Sequence, residues 1–300
     1  MAVDETASLV KYCSINTGLK VLNSQSLRWS SPHLFEDPFE PDSFSPAGFD
    51  QNMLTRELIK EAISMIFSPN DPTGKDNSLI AAIARWREED RFSSEEEAEK
   101  VLSQLLGQIA NQQFEHLVSY MDEWKQFAGN LRITAFSDKP DNMHSWQRYA
   151  DNHAGIALRF SAGEDTALPS PRKVSYSTTP PRVISLKQQV AVAFGKAPFP
   201  GKDDFIDKHL SKNTENRAEK EWRCIRFEET DLDSDKQLWY SNKKFLPSEL
   251  KTVYLGLATA PEDRNAVISI IKEKYQKTRV YQAVAATGRY EIDFLQVATR

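Results

Sequence analysis

The feature that most constrains the fold is a change of hydrophobic pattern between the middle of the chain and its flanks. From about residue 51 to residue 129, apolar residues recur at spacings of three and four, which is typical of amphipathic helices. On either side, short apolar runs are separated by turn residues, which is typical of strands. The pattern predicts an α+β fold with a mixed or antiparallel sheet and a helical insertion at residues 51–129.

The longest predicted helix of the insertion begins after Ser94, a favoured capping residue that three glutamates follow. Its predicted apolar stripe contains Ala98, Val101, Leu102, Leu105, Ile109, Leu117, Met121, Trp124 and Phe127. Two large aromatic residues end the stripe, which allows a homodimer through this helix. Burial of the same stripe inside the monomer explains it equally well.

The same periodicities predict the other elements. Helices are predicted at Thr17–Asn23, Met53–Phe67, Asn77–Asp90, Leu186–Phe194, Asp204–Ser211 and Pro261–Lys277. Strands are predicted at Leu9–Cys13, Ser26–Ser30, Arg132–Ser137, Ile156–Phe160, Glu221–Phe227, Leu238–Phe245, Thr252–Leu257, Val280–Ala285 and Tyr290–Val297.

Charge and cysteine content limit the class of protein. The 300 residues include 43 acidic and 38 basic side chains, and a net charge of −5 does not favour binding to a nucleic-acid backbone. No apolar run approaches the ~20 residues that span a bilayer, and residues 1–6 lack the features of a secretion signal. The two cysteines, Cys13 and Cys224, are far apart, which argues against a disulfide framework. We expect a cytoplasmic protein with reduced thiols and no membrane association.

Aromatic and titratable side chains concentrate between residues 136 and 155, where two predicted strands meet a helix. Trp146, Tyr149 and His153 are spaced as on one face of that helix. Such a stripe is more often core than pocket, and His153 could cap the helix C-terminus. Junctions of strands and helices are nevertheless common places for ligand pockets, so a site is predicted here.

A second candidate is the segment Glu219–Arg223, which is predicted to open a strand. Side chains two residues apart share a strand face, so Glu219, Glu221 and Arg223 are expected to point the same way. They could form a catalytic carboxylate pair with an orienting cation. They could also form a solvated face with a weak ion pair.

A third candidate is the irregular segment Phe35–Phe39, where Asp37 lies between two aromatic residues and precedes a proline. Asp37 is expected either to stabilise a turn or to line a site. The sequence has no glycine-rich phosphate loop, GxSxG, HExxH or paired CxxC motif, and its five histidines lack ligand-like spacing. We therefore expect no catalytic metal.

Taken together, several segments resemble the bacterial domain-of-unknown-function family 2971. The matching segments are Val10–Cys13, Leu27–Pro32, Phe35–Phe39, Ala135–Ser137, Trp146–Gly155, Lys212, Glu219–Arg223 and Val253–Gly256. Glu36 and Asn216 depart from the family pattern, which tends to have asparagine and tryptophan there. The resemblance covers nearly the whole chain and implies one domain over residues 1–300, with the helices of 51–129 inserted in it.

The order of strand, short helix and strand, with a later strand bearing Glu-x-Glu, is also similar to the ADP-ribosyltransferase superfamily. This resemblance implies that Glu221 is the catalytic carboxylate and that Glu219 orients the acceptor. It implies that Lys11, Tyr12, Ser30 or Ser31, Arg148 and Arg223 bind NAD, and Asp37, Trp146, Tyr149 and His153 from the patterns above complete the predicted NAD-binding set. In this set the tyrosine of the first strand flanks the nicotinamide, the serines support the ribose, and the cations meet the pyrophosphate. The first strand lacks the arginine or histidine typical of the superfamily.

The implied function is that of an ADP-ribosyltransferase or NAD glycohydrolase of the bacterial toxin or phage-defence kind. NAD would be its substrate, and a protein or nucleic acid its acceptor. The alternative is a non-catalytic ligand-sensing or protein-interaction module, in which the aromatic residues around Trp146 and Tyr149 bind a peptide or small molecule. A nuclease is disfavoured by the acidic charge and by the lack of a carboxylate motif for metal ions.

Overall fold

The computed structural model describes residues 7–37, 39–40, 48–74, 77–228 and 239–297. Residues 1–6, from which the absence of a secretion signal is predicted, lie outside this range, as does Leu238 of a predicted strand. The chain divides into two compact units, of which the first comprises Met1–Pro41, Ala128–Thr179 and Leu210–Arg300. The second comprises Asp42–Phe127 and Pro180–His209, so residues 180–209 add to the predicted insertion. No helix in the described part of the chain is long and apolar enough to cross a bilayer.

Most elements begin and end within a few residues of their predicted bounds. The strands are β1 (Ala7–Cys13), β2 (Ser26–Ser30), β3 (Leu131–Ser137), β4 (Ile156–Ala162), β5 (Arg172–Lys173), β6 (Ser175–Ser177), β7 (Ser211–Asn213), β8 (Glu221–Phe227), β9 (Tyr240–Lys244), β10 (Leu250–Leu255), β11 (Arg279–Ala285) and β12 (Ile292–Val297). The helices are α1 (Ile15–Ser24), α2 (Gln51–Phe67), α3 (Ser78–Glu88), α4 (Glu95–Asn130), α5 (Met143–Tyr149), α6 (Leu186–Ala193), α7 (Lys202–Lys208) and α8 (Pro261–Lys274).

The first unit is built on a mostly antiparallel sheet, which confirms the predicted α+β class. Its strand order is β12-β11-β10-β4-β1-β3-β2-β9, and the pairing of β10 with β11 is parallel. β3 pairs with β8 along its whole length, from Leu131 opposite Phe227 to Ser137 opposite Glu221. On its other edge β3 meets β1 at one position and β2 at another. The sheet therefore divides beside β3.

The core of the first unit lies between this sheet and helices α1 and α8. Trp29, Phe160 and Tyr275 are its largest fully buried rings, and the Tyr275 hydroxyl donates a 2.6 Å hydrogen bond to the carbonyl of Leu22 in α1. Where β4 begins, a Cβ added to Gly155 would lie 2.3 Å from the carbonyl oxygen of Cys13. Only glycine permits β1 and β4 to approach this closely.

The second unit has a helical core formed by α2, α3, α6 and most of α4. Its buried residues include Leu54, Leu58 and Ile83 of the predicted insertion, and Ile184 and Phe194 from residues 180–209. These last two side chains contribute to the same apolar cluster, which explains why residues 180–209 belong to this unit.

Two predictions for the second unit are wrong in detail. The buried positions of α4 begin with Ala98, Leu102, Leu106 and Ala110, whereas the predicted Val101 and Leu105 are 40% and 41% exposed. Each of these two precedes a buried residue by one position, and a one-residue step turns a side chain about 100° around the helix. The helix predicted at Asp204–Ser211 ends at Lys208, because Ser211 already begins strand β7.

Candidate functional site

A cavity of about 270 Å³ opens in the first unit beside β3, close to the lower end of the range usual for small-molecule sites (roughly 300–1,000 Å³). Its walls come from β1, β3, β8, helix α5, Lys212 of β7 and the segment that follows β2. Phe35, Phe136 and Tyr12 supply aromatic surface. The cavity thus lies where the sheet divides.

Lys11 occupies the place where β1 separates from β3. The two strands pair where Val10 lies opposite Ser137. Beyond this pair, the Lys11 ammonium donates a 2.9 Å hydrogen bond to the carbonyl of Ala135 in β3. The same Nζ atom lies 5.3 Å from the centre of the Phe136 ring. Burial lowers the pKa of Lys11, while the nearby Glu221 carboxylate acts in the opposite direction.

Five charged side chains form one network on the wall of the cavity, here called the charged cluster: Glu40, Lys212, Glu219, Glu221 and Arg223. The Lys212 ammonium lies between two carboxylates, 2.7 Å from Glu219 Oε2 and 3.0 Å from Glu221 Oε2. The Arg223 Nε donates to Glu221 Oε1 at 2.7 Å. Its two terminal nitrogens donate to the two oxygens of Glu40 at 2.7 Å and 2.5 Å.

The charged cluster is almost completely removed from solvent. Glu219 is 3% exposed, Glu221 6% and Arg223 1%. The interpretation of these residues as a solvated strand face is therefore wrong. Charges this deeply buried require partners, and each carboxylate of the cluster contacts at least one cation.

Opposite charge outweighs burial in setting the ionisation of Glu221. Burial by itself would raise the pKa of this carboxyl, but Arg223 and Lys212 lower it to about 2 through their charge and hydrogen bonds. Burial acts to lower the pKa of Lys212, but the carboxylates of Glu221, Glu219 and Glu40 outweigh it and raise this pKa. Glu221 is therefore anionic, and Lys212 cationic, at neutral pH.

Glu219 and Glu221 reach the charged cluster from different backbone environments. Glu219 ends a 3₁₀ helix, Thr214–Glu219, and Lys220 then adopts a left-handed conformation with φ 48°. Strand β8 begins only at Glu221. The prediction that Glu219 shares a strand face with Glu221 is therefore wrong. Their carboxylates converge because Lys212 contacts both.

Hydrogen bonds from neighbouring elements hold this turn. The hydroxyl of Ser137 and the side-chain amide of Asn142 both donate to the carbonyl of Glu219, at 3.1 Å and 3.2 Å. The backbone N–H of Glu221 donates to the Tyr176 hydroxyl at 2.8 Å. Both glutamates are thus positioned through the backbone as well as through their carboxylates.

Two tyrosines frame the cavity. Tyr12 donates to the carbonyl of Lys139 at 2.6 Å, and Tyr149 on α5 donates to Glu219 Oε1 at 2.8 Å. Burial raises the pKa of both phenols, so they are protonated at neutral pH. Next to Tyr149, the half-exposed side chain of Arg148 places its Nε 3.8 Å from Glu219 Oε1.

Asp37 combines the two interpretations that the sequence leaves open. Its Oδ1 accepts a 2.9 Å hydrogen bond from the backbone N–H of Phe39, as in an Asx turn. The residue also lines the cavity. Pro38, within the same turn, lies outside the described residues.

Two residues of the predicted aromatic stripe do not line the cavity. Trp146 is fully buried, donates to the carbonyl of Pro140 at 2.7 Å and contacts the edge of the Tyr12 ring, so it supports the wall from behind. Helix α5 ends at Tyr149, and His153 follows in a turn with φ 70°. The helix predicted to continue to His153 is interrupted because Asp151, Asn152 and His153, residue types that tolerate positive φ, are all left-handed.

The predicted serines also lie away from the cavity. Ser30 is the last residue of β2 and pairs with both Ile133 and Tyr240. Ser31 is fully buried and caps the following 3₁₀ turn by accepting a hydrogen bond from the N–H of His33 at 3.4 Å. The predicted residues that do line the cavity are Lys11, Tyr12, Asp37, Arg148, Tyr149, Glu219, Glu221 and Arg223.

Two members of the charged cluster are absent from the predicted site. Glu40 appears in the sequence only as part of an acidic, proline-containing segment, and its partner Arg223 is 183 residues away along the chain. Lys212 follows a helical pattern and belongs to a strand of three residues, too short to produce a periodic signal. No sequence signal singles out either residue, because the burial of Glu219 and Glu221 requires cations but does not say which of the 38 basic side chains supply them.

The carboxylate oxygens of Glu219 and Glu221 are already occupied by partners within the protein. Each oxygen of Glu219 and Glu221 contacts a cation or a phenol. Among the residues that the structure describes, no group of His, Cys, Asp and Glu side chains is arranged to hold a metal ion.

No family model matches this chain, and neither a curated protein nor a solved structure is significantly similar to it.

Proposed function

We propose that the cavity binds the nicotinamide–ribose end of NAD and that the protein cleaves the bond between these two groups. The protein would act as an ADP-ribosyltransferase or an NAD glycohydrolase of the bacterial toxin or phage-defence kind. The observation that carries this proposal is the Glu221 carboxylate, which is buried, anionic at neutral pH and part of the cavity wall.

The reaction explains why a buried carboxylate is useful. When the bond between ribose C1′ and the nicotinamide nitrogen breaks, its electron pair leaves with neutral nicotinamide and the sugar becomes an oxocarbenium ion. Water or an acceptor group then attacks C1′ and loses a proton. A fixed carboxylate beside the sugar stabilises the cation, and the interaction is stronger in a cavity of low dielectric than in water.

The balance of charge within the charged cluster suits a positively charged ligand. Three carboxylates, those of Glu40, Glu219 and Glu221, contact two cations, Lys212 and Arg223. These five buried side chains carry one net negative charge, which the half-exposed Arg148, 3.8 Å from Glu219 Oε1, partly offsets. Both the pyridinium ring of NAD and the oxocarbenium ion that follows are positive, and the cluster speeds the reaction because its carboxylates lie nearer to the sugar cation than to the ring.

The cationic residues of the predicted NAD-binding set divide into two roles. Lys11 and the half-exposed Arg148 line the cavity outside the charged cluster, and we assign them to the anionic pyrophosphate. Arg223 was predicted for the same task, but its Nε and both terminal nitrogens contact Glu221 and Glu40. We assign Arg223 to holding Glu221 in place.

Release of nicotinamide from NAD tests the proposal. We expect the wild-type protein to release nicotinamide and Glu221→Gln to do so at least about 100-fold more slowly, because the amide carries no charge to stabilise the cation. Glu273→Gln is the matched control, since Glu273 is an exposed residue of α8. It should leave the rate unchanged. The proposal fails if folded wild-type protein releases no nicotinamide, with or without candidate acceptors.

A non-catalytic ligand-sensing module is the second candidate, and one observation favours it. Each oxygen of Glu221 is already engaged by a cation, as in a purely structural ion-pair network. A thermal-shift series with NAD, ADP-ribose and other nucleotides separates the two candidates. Stabilisation by a nucleotide without release of nicotinamide would identify a sensor, and a ligand at 100 times its Kd stabilises by about 2.7 kcal/mol.

A further inference from the structure

A small two-stranded sheet presents two side chains to the start of β8. Strands β6 and β7 pair in parallel, with Tyr176 opposite Lys212. Parallel neighbours require a long crossover connection, and residues 178–210 supply it here. Most of that connection, Pro180–His209, belongs to the second unit, so Lys212 follows directly after the chain returns from it.

Both side chains of this pair contact Glu221. The Tyr176 hydroxyl accepts the backbone N–H of Glu221 at 2.8 Å, and the Lys212 ammonium lies 3.0 Å from Glu221 Oε2. The β6–β7 pair therefore holds the backbone and the carboxylate of one residue at the same time. Such a double attachment determines where the carboxylate points.

Lys212 is also the cation that joins Glu221 to Glu219. Its Nζ is 2.7 Å from Glu219 Oε2 and 4.0 Å from Glu40 Oε1, and the Lys212 side chain is buried. Arg223, the other cation of the charged cluster, contacts Glu221 and Glu40. Two carboxylates placed this close repel each other, and without a cation between them one would take up a proton.

We infer that Lys212, carried by the β6–β7 pair, is a positioning residue that holds Glu219 and Glu221 together as anions on the cavity wall. The inference rests on the proposed function in that the Glu221 carboxylate is taken as the group that stabilises the sugar cation. Lys212 acts on the reaction through Glu221 and not by touching the substrate. Its charge adds to that of Arg223 in holding the pKa of Glu221 below its ordinary value.

The pKa of Glu221 depends on the charged and titratable groups around it. The charged and titratable groups that face it are Arg223 on β8, Lys212 on β7, Glu219 before β8, Glu40, Lys11 on β1, Tyr149 on α5 and Tyr176 on β6. Removing the charge of Lys212 alone leaves Glu219 close to Glu221 with the half-exposed Arg148, 3.8 Å away, as its remaining described cation. The pKa of Glu221 should then rise.

The test compares Lys212→Met with Lys212→Arg in the pH dependence of nicotinamide release. We expect the methionine variant to move the acid limb of kcat upward by about one pH unit or more, which lowers the rate by up to about 10-fold at pH values on the wild-type limb. The arginine variant should restore most of the wild-type profile. Lys272→Met, at an exposed position of α8, is the control for loss of one positive charge.

A double variant covers the case in which Lys212→Met alone does not fold. Lys212→Met with Glu219→Gln removes one positive and one negative charge together, so the repulsion on Glu221 is relieved. Its acid limb should return toward the wild-type position. An acid limb of Lys212→Met that coincides with the wild-type limb would overturn the inference, as would a double variant whose acid limb lies about one pH unit or more above the wild-type limb.

A second readout separates this inference from the proposed function. Carboxyl-carbon NMR, with the Glu221 signal assigned from its loss in Glu221→Gln, measures the pKa of Glu221 without any substrate. If wild-type protein releases no nicotinamide, the proposed function fails and the titration still decides the role of Lys212. An upward shift of the Glu221 pKa in Lys212→Met supports the inference, and an unchanged value contradicts it.

Discussion

The two units of the chain differ in the kinds of side chain that they bury. The second unit excludes water from aliphatic and aromatic side chains such as Leu54, Leu58 and Ile83, which is favourable in itself. The first unit has an apolar core of the same kind, but beside it the charged cluster is equally shielded from solvent. Both groups of side chains are buried, but burial lowers the free energy of the apolar side chains and raises that of the charged ones.

The contrast indicates why the charged cluster exists. A buried ion-pair network is weak support for stability, because well-packed apolar residues of similar volume are often as good or better. A packed core needs no such network, and the ion pairs among the described residues of the second unit lie at partly or largely exposed side chains. Titratable groups with strongly shifted pKa values in a cavity are characteristic of functional sites. The cluster is therefore better explained by what the cavity does than by what the fold requires.

Removing a cation from the charged cluster should be the most damaging change to stability. We expect Arg223→Met to lower the free energy of unfolding by about 3–5 kcal/mol, because Glu40 and Glu221 lose a buried partner. Urea unfolding followed by circular dichroism measures the loss. Adding Glu40→Gln should recover part of it, since one of the two stranded charges is then removed. A fully stable Arg223→Met variant would contradict the contrast between the two units.

In the second unit, volume and not charge should decide the cost of a substitution. Leu58 is fully buried, so Leu58→Ala should lower the free energy of unfolding by about 2–5 kcal/mol through lost burial and the cavity left behind. The matched control is Leu105→Ala, the same substitution at a residue of α4 that is 41% exposed, with an expected cost below about 0.5 kcal/mol. Equal losses in the two variants would mean that the predicted stripe through Leu105 is the buried one after all.

Acid should weaken the first unit through Glu221. Its pKa in the folded protein, about 2, lies below the ordinary value of 4.5, so its contribution to stability is complete above about pH 4.5. That contribution is lost as the pH falls through 2, and it amounts to roughly 3 kcal/mol at most. Unfolding free energies of wild type and Glu221→Gln, measured from pH 6 to pH 2, should therefore converge toward low pH. Parallel curves would show that Glu221 does not titrate in this way.

Much of the fold could be predicted because its elements follow local rules. Strands β2 and β8 have their predicted bounds, and Ser94 caps α4 by accepting the N–H of Glu97 at 3.2 Å. The errors occur where neighbouring alternatives differ by one residue or by one turn, as at Val101 and His153. In those places the tertiary partner of the segment decides, and local periodicity does not distinguish the possibilities.

The candidate site was only partly accessible to prediction. Glu221 is predicted from its place in a charged strand face and from the resemblance to ADP-ribosyltransferases, Lys11 is predicted from that resemblance, and both line the cavity. Trp146 was named with them, but it supports the wall from behind because it packs against the Tyr12 ring. Whether an aromatic side chain lines a cavity or fills the core depends on what lies across from it, which helical spacing does not reveal.

The amino-acid sequence by itself determined the class of fold, the bounds of most elements and the presence of an acidic strand start at Glu221. Those properties arise from interactions between near neighbours in the chain. Only the tertiary structure decided that Glu221 is buried, that Lys212 joins it to Glu219, and that Arg223 meets Glu40 from 183 residues away. Ion pairs of this kind depend on how distant strands are ordered in the sheet, and the Coulomb interaction imposes no sequence pattern by which they could be read in advance.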